Sequence, residues 1–264
     1  MERANSSTPL PGPSIMMRDT RWAPCIASCL LVAVASCGSE AGAVTASDRG
    51  TQFIVGIDIS GSRTPLDLRE SKALLEKLVA ERMSYGDKIV FIEMYGASEP
   101  QQFRDSIKVL RQAVPTPREK RELDDFRART LSILPMFFDS TRKQQVVATD
   151  VFGTLFRAAD YSRAPGHDKT VLLLLSDMVQ ATGELNMEHE AGIPGPEWIE
   201  SRAAEERLPD LTGTCVIVSG AETKSARGAH LRKFWTGYFT RVGAKLRPDH
   251  YRGMIADASQ ITCG

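Results

Sequence analysis

The chain has 264 residues, enough for one large domain or two small ones. Lys plus Arg and Asp plus Glu are equal at 33 each, so there is no basic excess of the kind a nucleic-acid partner demands. Hydrophobic residues at 42% and charged residues at 25% fit a soluble globular chain, and no repeat of 20–50 residues marks a solenoid.

Residues 1–15 are rich in Ser and Pro and carry neither helical nor strand periodicity; they read as a leader or as sequence upstream of a true start at Met16 or Met17. Arg18 and Arg21 then precede an apolar stretch from Ala23 to Ser36. That is the length of a signal-peptide core and too short for a bilayer, which needs about 20 apolar residues. The stretch ends Val34-Ala35-Ser36-Cys37, which resembles a bacterial lipobox. The resemblance implies cleavage before Cys37 and a diacylglycerol on its thiol; an ordinary cleaved signal is the alternative. Cys25 and Cys29 would leave with the signal. The expected organisation is a leader and signal over 1–36, a lipidated flexible tether over 37–50, and a folded domain over 51–264. Gly38 is not the Asp associated with inner-membrane retention, which favours an outer-membrane anchor facing periplasm or surface. An oxidising compartment permits a disulfide between Cys215 and Cys263; a buried free Cys215 with a dangling Cys263 is the other possibility.

Within the domain, 52–60 (QFIVGIDIS) reads as a buried strand emptying into a polar loop. A helix is expected over 66–83, introduced by Pro65, then a strand over 88–95 and a weaker edge strand over 103–110. Residues 117–138 suggest a charged surface helix that Pro135 should kink or end. A short helix follows over 150–162. Residues 169–177 (KTVLLLLSD) form a near-continuous apolar strand, as in a parallel sheet covered on both faces. A polar loop over 178–195, a helix over 196–207, a strand over 214–220, a helix over 229–244 and a last strand over 245–251 complete the pass. Alternation of this kind predicts an α/β sandwich with a mostly parallel central sheet flanked by helices on both faces. Such sheets bind ligands at the carboxyl ends of their strands.

Three of those ends carry oxygen donors: Asp58-Ile59-Ser60-Gly61-Ser62, then Thr149-Asp150 before a helix, then Asp177 after the apolar strand. In this order they resemble the metal-ion-dependent adhesion site of von Willebrand factor A domains, and the resemblance covers roughly 51–251. It implies a Rossmann-like fold and one divalent ion, Mg2+ or Mn2+. Ser60 and Ser62 would be direct ligands, Thr149 a ligand directly or through water, and Asp58 and Asp177 carboxylates acting mainly through bound water. A partner protein's acidic side chain would complete the shell. Asp150 is either a further candidate or the N-cap of its helix. One departure stands out: the family has Gly after the last Asp, and this chain has Met178. The long segment over 111–145 is either a specificity insert or a longer surface helix.

The remaining features carry less. His167, His189, His230 and His250 are scattered without metal-ligand spacing. Glu184, Glu188, His189 and Glu190 make an acidic loop, solvated or flanking the metal. Trp235, Tyr238 and Phe239 have the spacing of a core face. Gly56 to Thr64 (GIDISGSRT) is also similar to the phosphate loop of actin-like sugar kinases, but Ser60 and Ser62 stand where that loop needs Gly or Thr, and no second phosphate motif follows. The expectation is therefore a lipid-anchored, metal-dependent protein-binding module of the envelope and not an enzyme. A degenerate domain that binds partners without metal is the nearest alternative, and an actin-like phosphotransferase a more distant one.

Overall fold

Thr51–Ile57 forms β1, and every residue from Gln52 onward is buried, because β1 pairs in parallel with a strand on each side. The computed structural model describes residues 50–95, 101–110, 114–139, 148–182 and 185–263. All of them belong to the compact unit Val44–Gly264. The leader, the signal, Cys25, Cys29, Cys37, nearly all of the tether and Glu184 lie outside the described residues.

After β1 the chain forms α1 (Pro65–Lys77), β2 (Lys88–Glu93), β3 (Gln102–Ser106), α2 (Pro117–Phe137) and α3 (Val151–Ser162). Then come β4 (Lys169–Leu175), β5 (Ala181–Thr182), β6 (Leu185–Asn186), α4 (Pro196–Ala204), β7 (Cys215–Ser219), α5 (Ala226–Arg241) and β8 (Lys245–Arg252). Six strands make one sheet in the order β3-β2-β1-β4-β7-β8, and β5 and β6 pair in a separate ribbon. All pairings in the large sheet are parallel except β2 with β3, the antiparallel edge. This is the α/β sandwich with a mostly parallel central sheet that the alternation of elements predicts. The chain leaves β1 towards β2 on one side and later returns to β4 on the other, so the crevice between the ends of β1 and β4 is the switch point of the sheet.

Strand side chains alternate between two cores, as a period of two dictates. Phe53, Val55, Ile57, Val171, Leu173, Leu175 and Ile217 face one layer, built by Leu74 and Leu75 of α1 and by Phe126, Leu134 and Phe137 of α2. Ile54, Leu172, Leu174, Val216 and Val218 face the other, built by α3, by Ile199 of α4, and by Leu231, Phe234, Trp235, Tyr238 and Phe239 of α5. Each fully buried Leu or Ile contributes about 1.5–3 kcal/mol. These two layers leave the polar strand ends as the place where function can sit.

Helix starts follow local chemistry. Thr64 with Asp67 and Thr116 with Glu119 form reciprocal capping boxes, each with Pro at the first helical position. Some boundaries depart from the sequence pattern. Regular α1 ends at Lys77, and Leu78–Arg82 continue as a wider π turn, where the 66–83 periodicity gave one helix. Pro135 does not end α2 at itself; the helix runs on to Phe137, so the residue sits in the last turn. The polar loop over 178–195 contains the β5–β6 ribbon and a short helical turn over Glu190–Gly192.

Candidate metal centre

The first strand end is organised around Asp58. Its N–H still reaches the Leu175 carbonyl at 3.1 Å, which ties the start of the loop to β4. Asp58 is 1% exposed, so its carboxylate needs internal donors. Oδ1 accepts the Ser60 N–H at 2.9 Å, and Oδ2 accepts the Ser176 hydroxyl at 2.8 Å. The Thr149 hydroxyl lies 3.5 Å from Oδ1. Burial, and after it the neighbouring Asp177 carboxylate, push the Asp58 pKa up to about 6, against the hydrogen bonds from Ser60 and Ser176.

The Asp58 bond to the Ser60 N–H turns the loop. Ser60 is buried, Ser62 is exposed, and their hydroxyl oxygens stand 2.9 Å apart. Arg63 fastens the far side of the loop: Nη1 donates to the Gly220 carbonyl at 3.2 Å and Nη2 to the Ser71 hydroxyl at 3.0 Å. The two serines are thereby held against the end of β7 and against α1.

The second donor segment is the loop before α3, which carries Thr149, buried, with its carbonyl accepting the Ala181 N–H at 3.0 Å. Asp150 is the N-cap of α3, its Oδ1 accepting the Gly153 N–H at 2.9 Å. Gln180 completes that cap, because its side-chain oxygen accepts the N–H groups of Val151 and Phe152 at 2.7 and 3.2 Å. Gln180 joins the Thr149 loop to the chain beyond β4.

The third end is Ser176-Asp177-Met178. Asp177 is partly exposed and accepts the Val179 N–H at 3.0 Å. Met178, at the position where the sequence resemblance would put Gly, has φ 65°, in the left-handed region that favours glycine. Its N–H donates to Ser176 Oγ at 2.9 Å, its carbonyl accepts the Trp235 indole N–H at 2.8 Å, and its side chain is fully buried. A left-handed turn is therefore made here with Met, held by packing and two hydrogen bonds.

Ser60, Gly61, Ser62 and Thr149 line a cavity of about 360 Å3 together with Ala148, Val179, Ala181, Glu188 and Arg227. Asp58 and Asp177 are not among its lining residues. The donor set fits a small hard cation. Adjacent corners of an octahedron with about 2.1 Å metal–oxygen bonds lie about 3 Å apart, close to the spacing of the two serine oxygens. The hydroxyls supply no charge, and the carboxylates behind them supply it. Among the described residues no three His, Cys, Asp or Glu gather at one point.

The other sequence candidates lie elsewhere. Cys215 and Cys263 are disulfide-bonded, with Cα atoms 6.1 Å apart. His250 packs near Cys215, its ring nitrogen 3.9 Å from Sγ, and His230 pairs with Glu190 at 2.9 Å. Trp235, Tyr238 and Phe239 are core. Among the described residues of the acidic loop, only Glu188 lines the cavity. Ser176, Gln180 and Arg227 were missed by the sequence. A polar residue closing an apolar strand is a signal that singles out Ser176; Arg227 arrives from a distant helix and has none.

No protein-family model matches the chain, and no curated protein matches it. Among solved structures, the chain is similar to an aerotolerance-related membrane protein from Bacteroides fragilis, solved with multiple mutations to serines. Sequence identity there is 16%, covering 80% of this chain and 95% of that one, with a TM-score of 0.39. It is also similar to proximal thread matrix protein 1 of the mussel byssus, at 11% identity and a TM-score of 0.39, covering 80% of this chain and 45% of that one.

Proposed function

We propose that this chain is a divalent-metal-dependent protein-binding module, anchored to the bacterial envelope through a lipid on Cys37. The observation that carries the metal reading is the placement of Ser60, Ser62 and Thr149 around one cavity at the switch point, with Asp58 and Asp177 close by. Ser60 and Ser62 would hold Mg2+ or Mn2+ directly, Thr149 directly or through water, and Asp58 and Asp177 would orient the bound water. The ion would supply an electrophilic point that attracts a carboxylate. With uncharged hydroxyls as its nearest ligands it keeps more of its charge for a partner's acidic side chain.

The test is calorimetric titration of the chain with Mg2+ and Mn2+, beside the Ser60→Ala, Ser62→Ala double variant. One-site binding that vanishes in the variant supports the reading; a silent wild type removes it. A second reading, partner binding without metal, draws on Arg227, which already brings a positive charge to the cavity. Insensitivity of partner capture to EDTA would favour it. The anchor is tested separately, by whether Cys37→Ala releases the chain from membranes.

A further inference from the structure

Arg227 stands in the first turn of α5 and lines the same cavity as Ser60, Ser62 and Thr149. Its position is fixed from two sides. Nε and Nη2 hold Glu222 Oε2 at 2.7 and 2.6 Å, and Nη1 donates to the Glu188 carbonyl at 2.5 Å. A guanidinium has five N–H bonds, so three are committed and two remain. The side chain is 34% exposed, so the remaining donors can meet a ligand. A guanidinium held this way has lost most of its rotamer freedom before any ligand arrives, and it presents fixed donors that suit a carboxylate.

We infer that the cavity is a two-carboxylate site: one acidic side chain of a partner protein goes to the ion, and a second, adjacent in sequence, goes to Arg227. The inference rests on the metal reading above and adds the partner's chemistry to it. Glu188 also lines the cavity, its Oε2 accepting the Asn186 side-chain amide at 2.8 Å. Its negative charge, like that of Glu222 already paired with Arg227, opposes an acidic ligand, so removing the Glu188 charge should favour binding.

The probes are three capped dipeptides of nearly equal shape, Asp-Asp, Asp-Asn and Asn-Asp. They are titrated into the full chain with saturating Mn2+, with binding heat and water-proton relaxation as readouts. The expected result is roughly tenfold tighter binding of Asp-Asp than of either mixed peptide, the scale of one charge-assisted hydrogen bond. Arg227→Gln should abolish that preference without weakening bare Mn2+ binding, because the substitution removes a like charge from the ion's surroundings. Glu188→Gln should tighten all three peptides. Equal affinities for the three peptides, or a preference that survives Arg227→Gln, overturns the inference and leaves the ion site standing. Absence of Mn2+ binding to the wild type removes the ion site and the inference with it. Because Arg227→Gln also frees Glu222, Arg227→Lys is the folding control: it keeps the charge, loses the fork, and should retain part of the preference.

Discussion

Ser176 Oγ donates to Asp58 Oδ2 at 2.8 Å and accepts the Met178 N–H at 2.9 Å, so one buried hydroxyl links the first and third strand ends. Ser176→Ala breaks both bonds and leaves a buried carboxylate short of a donor. The expected cost is about 1–3 kcal/mol in urea denaturation. The Asp58 pKa should rise further, and Mn2+ affinity at neutral pH should fall, although Ser176 itself is no ligand.

The pH dependence has a definite sign. The Asp58 pKa is raised from 3.8 to about 6, so the protonated form is the one the fold favours. Its contribution to stability is fully present below pH 3.8 and is lost as the pH rises through about 6. Without metal, denaturation midpoints should show this term as a decline across that window, and Asp58→Asn should flatten it. A bound cation favours the ionised form, so Mn2+ binding should release a proton there. Affinity should climb with pH and level above about 6, with proton release read from calorimetry in buffers of different ionisation heat.

Met178 invites a three-way comparison. Met178→Gly relieves the left-handed backbone, worth about 1–2 kcal/mol, but empties a fully buried site, at about 2–5 kcal/mol. Met178→Ala empties nearly as much and keeps the strain. Stability should fall in the order Met, Gly, Ala, with about 1 kcal/mol between the last two. Thermal denaturation reads the order directly; Ala above Gly would mean that the turn is unstrained.

The Cys215–Cys263 bridge closes a loop with a sequence separation of 48. Cys263→Ser should lower stability by about 2–4 kcal/mol. Reductant should lower the wild type by the same amount and leave the variant unchanged.

Much of this was legible in the chain because the relevant signals are local. The run from Val171 to Leu175 reads as a strand covered on both faces, and Asp58, Ser60, Ser62 and Asp177 are read from their positions after apolar strands. The rest depends on distant partners. Gln180 looks like any loop glutamine until α3 presents its N–H groups. Arg227 looks like a surface helix residue until α5 packs beside the Ser60 loop. The π turn at Leu78–Arg82 leaves no trace either, since apolar residues there keep helical spacing while the hydrogen bonding changes.

The chain beyond β8 has a mechanical consequence. Ile255 N–H donates to Ser219 Oγ at 3.0 Å, at the end of β7 beside the candidate centre, while Cys263 is joined to Cys215 at the strand's beginning. Ile255, Ala258 and Ile261 are buried along the way. The last residues thus run back along β7 as a strap pinned at both poles. A load applied at Cys263 bypasses the strap's weak contacts and enters β7 through a covalent bond. There it meets the ladders to β4 and β8 in shear, so many hydrogen bonds must fail together. With the bridge reduced, the same load would peel the strap away one contact at a time. Reductant should therefore change which end of the molecule yields first under tension.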